Sequence, residues 1–308
     1  MQEPISKYFH VGLIHPMAYP AAGKGEGEVV LETLKKVLDD DYFGAVELTW
    51  IKDDAMRAEA AKMLKCAHVD IVFAGQPPLL SQKLDLNAAD EAERKKAIDQ
   101  CKNSVDQAYE LGACILAVLS GPCPADGDKK AAIARLADSL KQICKYAQSK
   151  GDLVVSLETF DFDIDKKCVI GPTADAVELA KTIREECPNF GLTVDLSHQP
   201  MLNESIEQMV TTAAPYLIHT HIGNAVLSDT SSPAYGDQHP AFGCECGIND
   251  VDEVAAFLKA LFDIGYFKKD LPSKMPIVSF EVKPLPGEDG DIVVAGAKRV
   301  LNEAWAKL

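Results

Sequence analysis

No apolar run in this sequence reaches the length of a membrane span, about 20 residues, and no lysines and arginines gather into a block. Acidic residues outnumber basic ones 47 to 31, for a net charge of −16. DNA or an anionic membrane would meet a repulsive average field, so neither is expected as a partner. The opening MQEPISKYFH has no apolar h-region, so no secretory leader is expected and a cytoplasmic location is. No GxGxxG follows the first apolar run and no GxxxxGK[ST] occurs, which removes the usual sign of the nucleotide-binding doubly wound folds. No Gly-, Ser- or Pro-rich linker divides the chain, so residues 1–308 are expected to form a single domain. The nine cysteines are odd in number, and Cys101, Cys114 and Cys144 sit in apolar or helical stretches, as reduced, packed thiols do. The one close pair, Cys244 and Cys246, lacks the two further ligands of a zinc site.

What the chain does have is material for a core, at 47% hydrophobic, arranged as short apolar runs alternating with longer amphipathic segments. The runs are HVGLIH (10–15), AVELTWI (45–51), VDIVFAG (69–75), ACILAVLS (113–120), LVVSLETF (153–160), FGLTVDL (190–196), YLIHTHI (216–222) and PIVSFEV (276–282). The segments between them predict helices over 28–40, 53–67, about 88–111, 129–149, 173–186, 203–213, 250–264 and 291–306, with Thr173 as an N-cap. The strands are continuously apolar, as strands covered on both faces are. Eight strand–helix pairs in 308 residues fit an α/β fold, a (β/α)8 TIM barrel. The stretch 225–249 is the longest loop, and loops of that length are usually functional or disordered.

In such barrels the chemistry sits at the C-terminal ends of the strands. Those ends carry His15, then Glu47 and Trp50, Gln76, Ser120, Glu158, Asp195 with His198 beyond it, His221 with Asn224 beyond it, and Glu281 with Lys283. A buried carboxylate is costly unless paired or bound to a metal. One alone would fit an outward face or a salt bridge. Glu158, Asp195 and Glu281, with His221 at the matching place on the seventh strand, converge on one point and suit one divalent ion, Mn²⁺ first, then Mg²⁺ or Co²⁺. Zn²⁺ is less favoured, because no thiolate joins the set. His198 leans over the site as a substrate contact or acid–base group, or else is a solvated loop histidine. Lys283 shares the Glu281 face and is expected to hold a substrate oxygen or to pair with a carboxylate. Glu47 and Gln76 are further candidate substrate contacts. His15 and Trp50 form either a sugar-stacking wall or rim packing.

The stretch YLIHTHIGN places His219 and His221 on one strand face, about 6–7 Å apart. His221, nearer the C-terminal end, is the expected ligand. His219 is expected one layer deeper, packing and hydrogen-bonding a neighbour such as a supporting carboxylate. Asn224 is expected to contact substrate.

The motifs SLETF, VDLSH, HTHIGN and SFEVKP resemble those of the xylose isomerase-like barrel superfamily, most nearly its ketose 3-epimerases and inosose dehydratases and isomerases. The strand order extends the resemblance over nearly the whole chain. It implies metal ligation by Glu158, Asp195, His221 and Glu281, and substrate contact by His198. It also implies that Glu158 and Glu281 remove and return a proton on opposite faces of a sugar, beside its carbonyl. The epimerases carry an arginine where this chain has Leu227, and a second glutamate where it has Ile164; Asp161, Asp163 and Asp165 lie nearby instead.

The resemblance thus implies a metal-dependent isomerase or epimerase acting on an unphosphorylated ketose or polyol ketone through an enediolate. The alternative is a lyase, similar to inosose dehydratases or to the large subunit of a C-glycoside deglycosidase, which works on a 3-oxo-glycoside with a small partner subunit. A homo-oligomer is expected. A DNA-acting relative of endonuclease IV is disfavoured by seven histidines in all and the net charge. A non-catalytic binding barrel is disfavoured by the carboxylates kept at the strand ends.

Overall fold

The computed structural model describes every residue except Gln2 and Asp126. Eight parallel strands close into a barrel in chain order: β1 (His10–Ile14), β2 (Ala45–Leu48), β3 (Asp70–Ala74), β4 (Ile115–Leu119), β5 (Val154–Glu158), β6 (Phe190–Asp195), β7 (Leu217–Ile222) and β8 (Ile277–Phe280). All but the first residues of β1 and β5 and the second of β7 are buried, as expected of strands packed on both faces.

Two helices, α1 (His15–Ala18) and α4 (Gln76–Ser81), are short and sit at the C-terminal ends of β1 and β3. The other eight form the outer layer: α2 (Val29–Leu38), α3 (Asp54–Ala67), α5 (Glu91–Leu111), α6 (Lys129–Gln148), α7 (Thr173–Arg184), α8 (Ile206–Ala213), α9 (Val251–Asp263) and α10 (Gly290–Ala306). The expected (β/α)8 barrel is therefore what forms. Asp53, Asp90, Asp250 and Asp289 cap α3, α5, α9 and α10 by accepting from first-turn backbone N–H groups. The expected Thr173 cap does not form. Thr173 is the first helical residue, and its backbone N–H and hydroxyl both donate to the Glu204 carboxylate.

Most of the core lies between the strands and the outer helices, where leucines such as Leu34, Leu64, Leu140 and Leu261 are fully enclosed. Each stabilises by roughly 1.5–3 kcal/mol relative to an exposed side chain. Trp305 of α10 ties the two ends of the chain together: its indole N–H donates to Glu3 O at 2.7 Å and its carbonyl accepts from the Met1 amine at 2.8 Å.

The expected strand ends move slightly. β1 stops before His15, β2 before Trp50 and β8 before Glu281, although the Glu281 N–H still reaches back to Ile222 O at 2.9 Å. The segment between β7 and α9 holds no helix or strand, but it is well tied down. Asn224 Oδ1 accepts from the backbone N–H of Ala225 and of Asn249, and Asn249 Nδ2 donates to Leu196 O and Gly223 O. All nine cysteines are unpaired thiols. Among the described residues no helix is long and apolar enough to cross a membrane.

Candidate active site

Register brings the polar strand ends together. Asp195 of β6 pairs with His221 of β7, and His221 with Ser279 of β8, two residues before Glu281. One ligand atom from each of Glu158, Asp195, His221 and Glu281 lies within 4.8 Å of every other. His221 Nδ1 points into this group, 3.1 Å from Glu158 Oε1 and 2.8 Å from Glu281 Oε2. His221 Nε2 faces the other way, 3.3 Å from Glu47 Oε2. The remaining oxygen of Glu47 takes a 2.7 Å hydrogen bond from His219 Nε2. His219 thus sits beneath the group and bonds a supporting carboxylate, and His221 alone of the pair joins the cluster.

Asp195 is held by the residue two places on: the Ser197 N–H donates to Oδ1 at 2.8 Å and the Ser197 hydroxyl to Oδ2. Gln76 Nε2 donates to Glu158 Oε2 at 2.6 Å. All these side chains are buried. Burial raises the Glu281 carboxyl above its ordinary range; His239 and His221 oppose this, while Glu158 adds to it. Gln76 Oε1 accepts no hydrogen bond although it is buried, and Glu281 Oε2 has only the His221 imidazole beside it. Three buried carboxylates crowded around one imidazole fit a hard or borderline divalent cation.

Glu158, His221 and Glu281 of the cluster line a cavity of about 200 Å³ at the C-terminal ends of the strands, with Asp195 buried behind them. Its size is below the roughly 300–1,000 Å³ of drug-sized sites, and suits a small molecule. Glu47, Gln76, Glu158, His221, Glu281 and Lys283 line it.

Four expected contacts do not reach it. His15 opens α1 and turns to Thr33, with Nε2 2.8 Å from the hydroxyl oxygen; burial lowers its pKa to about 4. Trp50 lies past the end of β2, where its indole donates to Gly23 O and Lys52 covers its ring. Asn224 is consumed in tying the loop. His198 is fully buried beneath Phe160, with Nδ1 2.8 Å from Thr159 O and Nε2 2.9 Å from Asp237 Oδ1. Both of its ring nitrogens are occupied by protein partners, so it braces the loop. Burial opposes its charge, but Asp195, Asp237 and Glu158 hold its pKa well above the ordinary value. Of the three aspartates near Ile164, Asp161 is buried and gathers the backbone N–H groups of residues 164–167, and Asp163 and Asp165 are exposed.

The residues missing from the sequence reading come from loops. Asp237, Gln238 and His239 enter the cavity from the segment after β7, and Lys166 from the one after β5. His239 has Nδ1 2.9 Å from Ser197 Oγ and Nε2 2.7 Å from Asp237 Oδ1. Asp237 is buried, yet His239 and His198 hold its carboxyl well below the ordinary range. Lys166 pairs with Asp237 at 2.9 Å and Asp165 at 3.0 Å. The advance sign of Asp237, Gln238 and His239 was the length of the loop after β7; nothing in the sequence pointed to Lys166.

The model of the xylose isomerase-like TIM barrel family matches residues 36–277. This chain belongs to that family. Among solved structures, this xylose isomerase-like barrel is similar to D-psicose 3-epimerase from Clostridium cellulolyticum H10, solved with D-tagatose (19% identity, 97% of this chain and 96% of the other, TM-score 0.66). It is also similar to the IolI protein with a bound zinc atom (16%, 97% and 99%, 0.73) and to the 3-keto-D-glucoside 4-epimerase YcjR from E. coli (15%, 96% and 99%, 0.67). At these identities the likeness is one of fold. No curated protein sequence matches the barrel significantly.

Proposed function

We propose that this barrel is a divalent-metal-dependent isomerase or epimerase that removes a proton beside the carbonyl of a small, unphosphorylated keto sugar or polyol ketone. The observation that carries the reading is the convergence of Glu158, Asp195, His221 and Glu281, three of which line a small cavity. Those four residues would hold the ion, with Mn²⁺ the first candidate and Mg²⁺ or Co²⁺ next. When bound, the ion supplies Lewis-acid stabilisation of the negative charge that develops on the substrate as it enolises.

The protein supplies the rest. Glu158 and Glu281 come from β5 and from the end of β8, well apart around the barrel, so they approach a substrate from different sides. One carboxylate accepts the proton from the carbon beside the carbonyl, leaving an enediolate, and the other delivers a proton to the opposite face. Gln76 holds Glu158 in place, and Glu47 holds His221. Enclosure on the barrel floor limits access of water to the carbanionic carbon. That similar folds carry a D-psicose 3-epimerase and a 3-keto-D-glucoside 4-epimerase supports chemistry beside a carbonyl.

The test is exchange of the substrate carbon-bound proton with solvent deuterium, followed by NMR over ketoses, inososes and 3-oxo-glycosides with Mn²⁺ added. Exchange with formation of the epimer supports the proposal. Loss of water or of an aglycone would make the enzyme a lyase. No exchange on any of these compounds would overturn the reading.

A further inference from the structure

The walls of the cavity differ in kind. Ile14 at the end of β1, Met17 after it, Pro77 and Leu80 after β3, and Phe160 after β5 are apolar. The groups arriving from beyond β7 and β8 are polar, and among them is Lys283. Its backbone N–H donates to His239 O at 2.8 Å, so the loop that brings His239 into the cavity also fixes the place of this lysine.

The side chain of Lys283 is half-buried, and its one hydrogen bond goes to a neutral group, Gln238 Oε1 at 3.2 Å. Among the described residues no carboxylate pairs with it. Three other shielded lysines are matched by carboxylates: Lys166 by Asp165 and Asp237, Lys141 by Glu186 and Lys298 by Asp40; Lys269, away from the cavity, spends its donors on the carbonyls of Ala214 and Leu217. In a chain with 47 acidic residues, a cavity lysine left on an amide keeps two of its three donors for a ligand. A partly desolvated ammonium gains most from an anion.

We propose that Lys283 receives a carboxylate of the substrate, so that the substrate is an acidic keto sugar. The proposal rests on the isomerase or epimerase reading above and deepens it. Lys283 lies two residues beyond Glu281, about 6–7 Å of extended chain. The carbonyl end of such a molecule would lie on the barrel floor and its carboxylate at the mouth, with the sugar's apolar C–H face against Met17 and Leu80. One lysine matches a single-charged carboxylate; a phosphate calls for more donors.

The experiment compares D-tagatose, its acidic counterpart D-tagaturonate and D-tagatose 6-phosphate. Each is assayed for solvent-proton exchange and, by calorimetry, for binding to the Mn²⁺-loaded protein. Wild type, Lys283→Gln and Lys283→Arg are compared. D-tagaturonate is expected to bind and exchange at least tenfold better than D-tagatose. Lys283→Gln should remove most of that preference and Lys283→Arg should restore part of it. Equal handling of the acid and the neutral sugar by wild type would overturn the proposal. So would an equal loss for both in Lys283→Gln, or preference for the phosphate. Exchange confined to neutral ketoses would overturn it while leaving the functional reading intact. Lys283-dependent binding of D-tagaturonate without any exchange would support the carboxylate site and overturn the isomerase reading.

Discussion

His219 Nε2 lies 2.7 Å from Glu47 Oε1, across 172 residues of chain. The two residues come from β7 and β2, which are not neighbours in the barrel, so the contact crosses its interior. Glu47 also accepts from His221, and this leaves His221 Nδ1 free to face the carboxylate cluster. Glu47→Gln should therefore loosen the orientation of His221 and weaken the metal by about 10–100-fold, the usual cost of losing such a supporting partner. Calorimetric titration of the metal-free protein with Mn²⁺ checks this, and an unchanged affinity would contradict the role given to Glu47.

Glu281→Gln should abolish turnover and weaken the metal. General acid–base groups contribute roughly 10²–10⁴-fold, so activity surviving within about tenfold of wild type would refute the assignment of Glu281.

Metal removal should lower stability. Glu158, Asp195 and Glu281 are all buried, and with a chelator present their mutual repulsion has no cation to offset it. A ligand that binds only the folded protein at 100 times its dissociation constant adds about 2.7 kcal/mol. The melting temperature is expected to fall with chelator and to recover with Mn²⁺; identical curves would argue against a metal centre.

His15 sets a pH dependence. Burial lowers its pKa from 6.5 to about 4, so between those values the unfolded chain binds a proton that the folded one refuses. Its contribution is complete above pH 6.5 and is lost as pH falls towards 4, by about 3 kcal/mol in all. The stability difference between wild type and His15→Asn, measured by urea unfolding in chelator, should shift against wild type by that order between pH 7 and pH 4. An equal difference at both pH values would count against a buried neutral imidazole.

Asp237→Asn should leave Lys166 with only Asp165 and deprive His239 and His198 of a shared anion. A loss of about 1–3 kcal/mol is expected. Proteolytic cleavage should also rise within 223–250 ahead of the rest of the barrel. Uniform cleavage would show that Asp237 does not brace the loop.

The fold and the convergence of Glu158, Asp195, His221 and Glu281 were legible in the sequence because three of these residues lie in strands and Glu281 directly follows one. An alternation of continuous apolar runs with amphipathic helices has few stable closures, and a polar residue ending such a run is conspicuous. The helix caps at Asp53, Asp90, Asp250 and Asp289 were legible in principle as well, since each depends on contacts a few residues away.

His15, Trp50, His198 and Asn224 show where that legibility stops. Each lies at or just past a strand end, where the chain leaves the ladder and alternation no longer dictates direction. Their side chains went to Thr33, Gly23, Asp237 and the loop closure because those partners were available in three dimensions. The same physics brought Asp237, Gln238, His239 and Lys166 into the cavity. Local periodicity by itself determined the barrel and the gathering of polar residues at the C-terminal ends of its strands. Only the tertiary structure decided which loop residues surround them, because a loop side chain takes its place from contacts with distant parts of the chain.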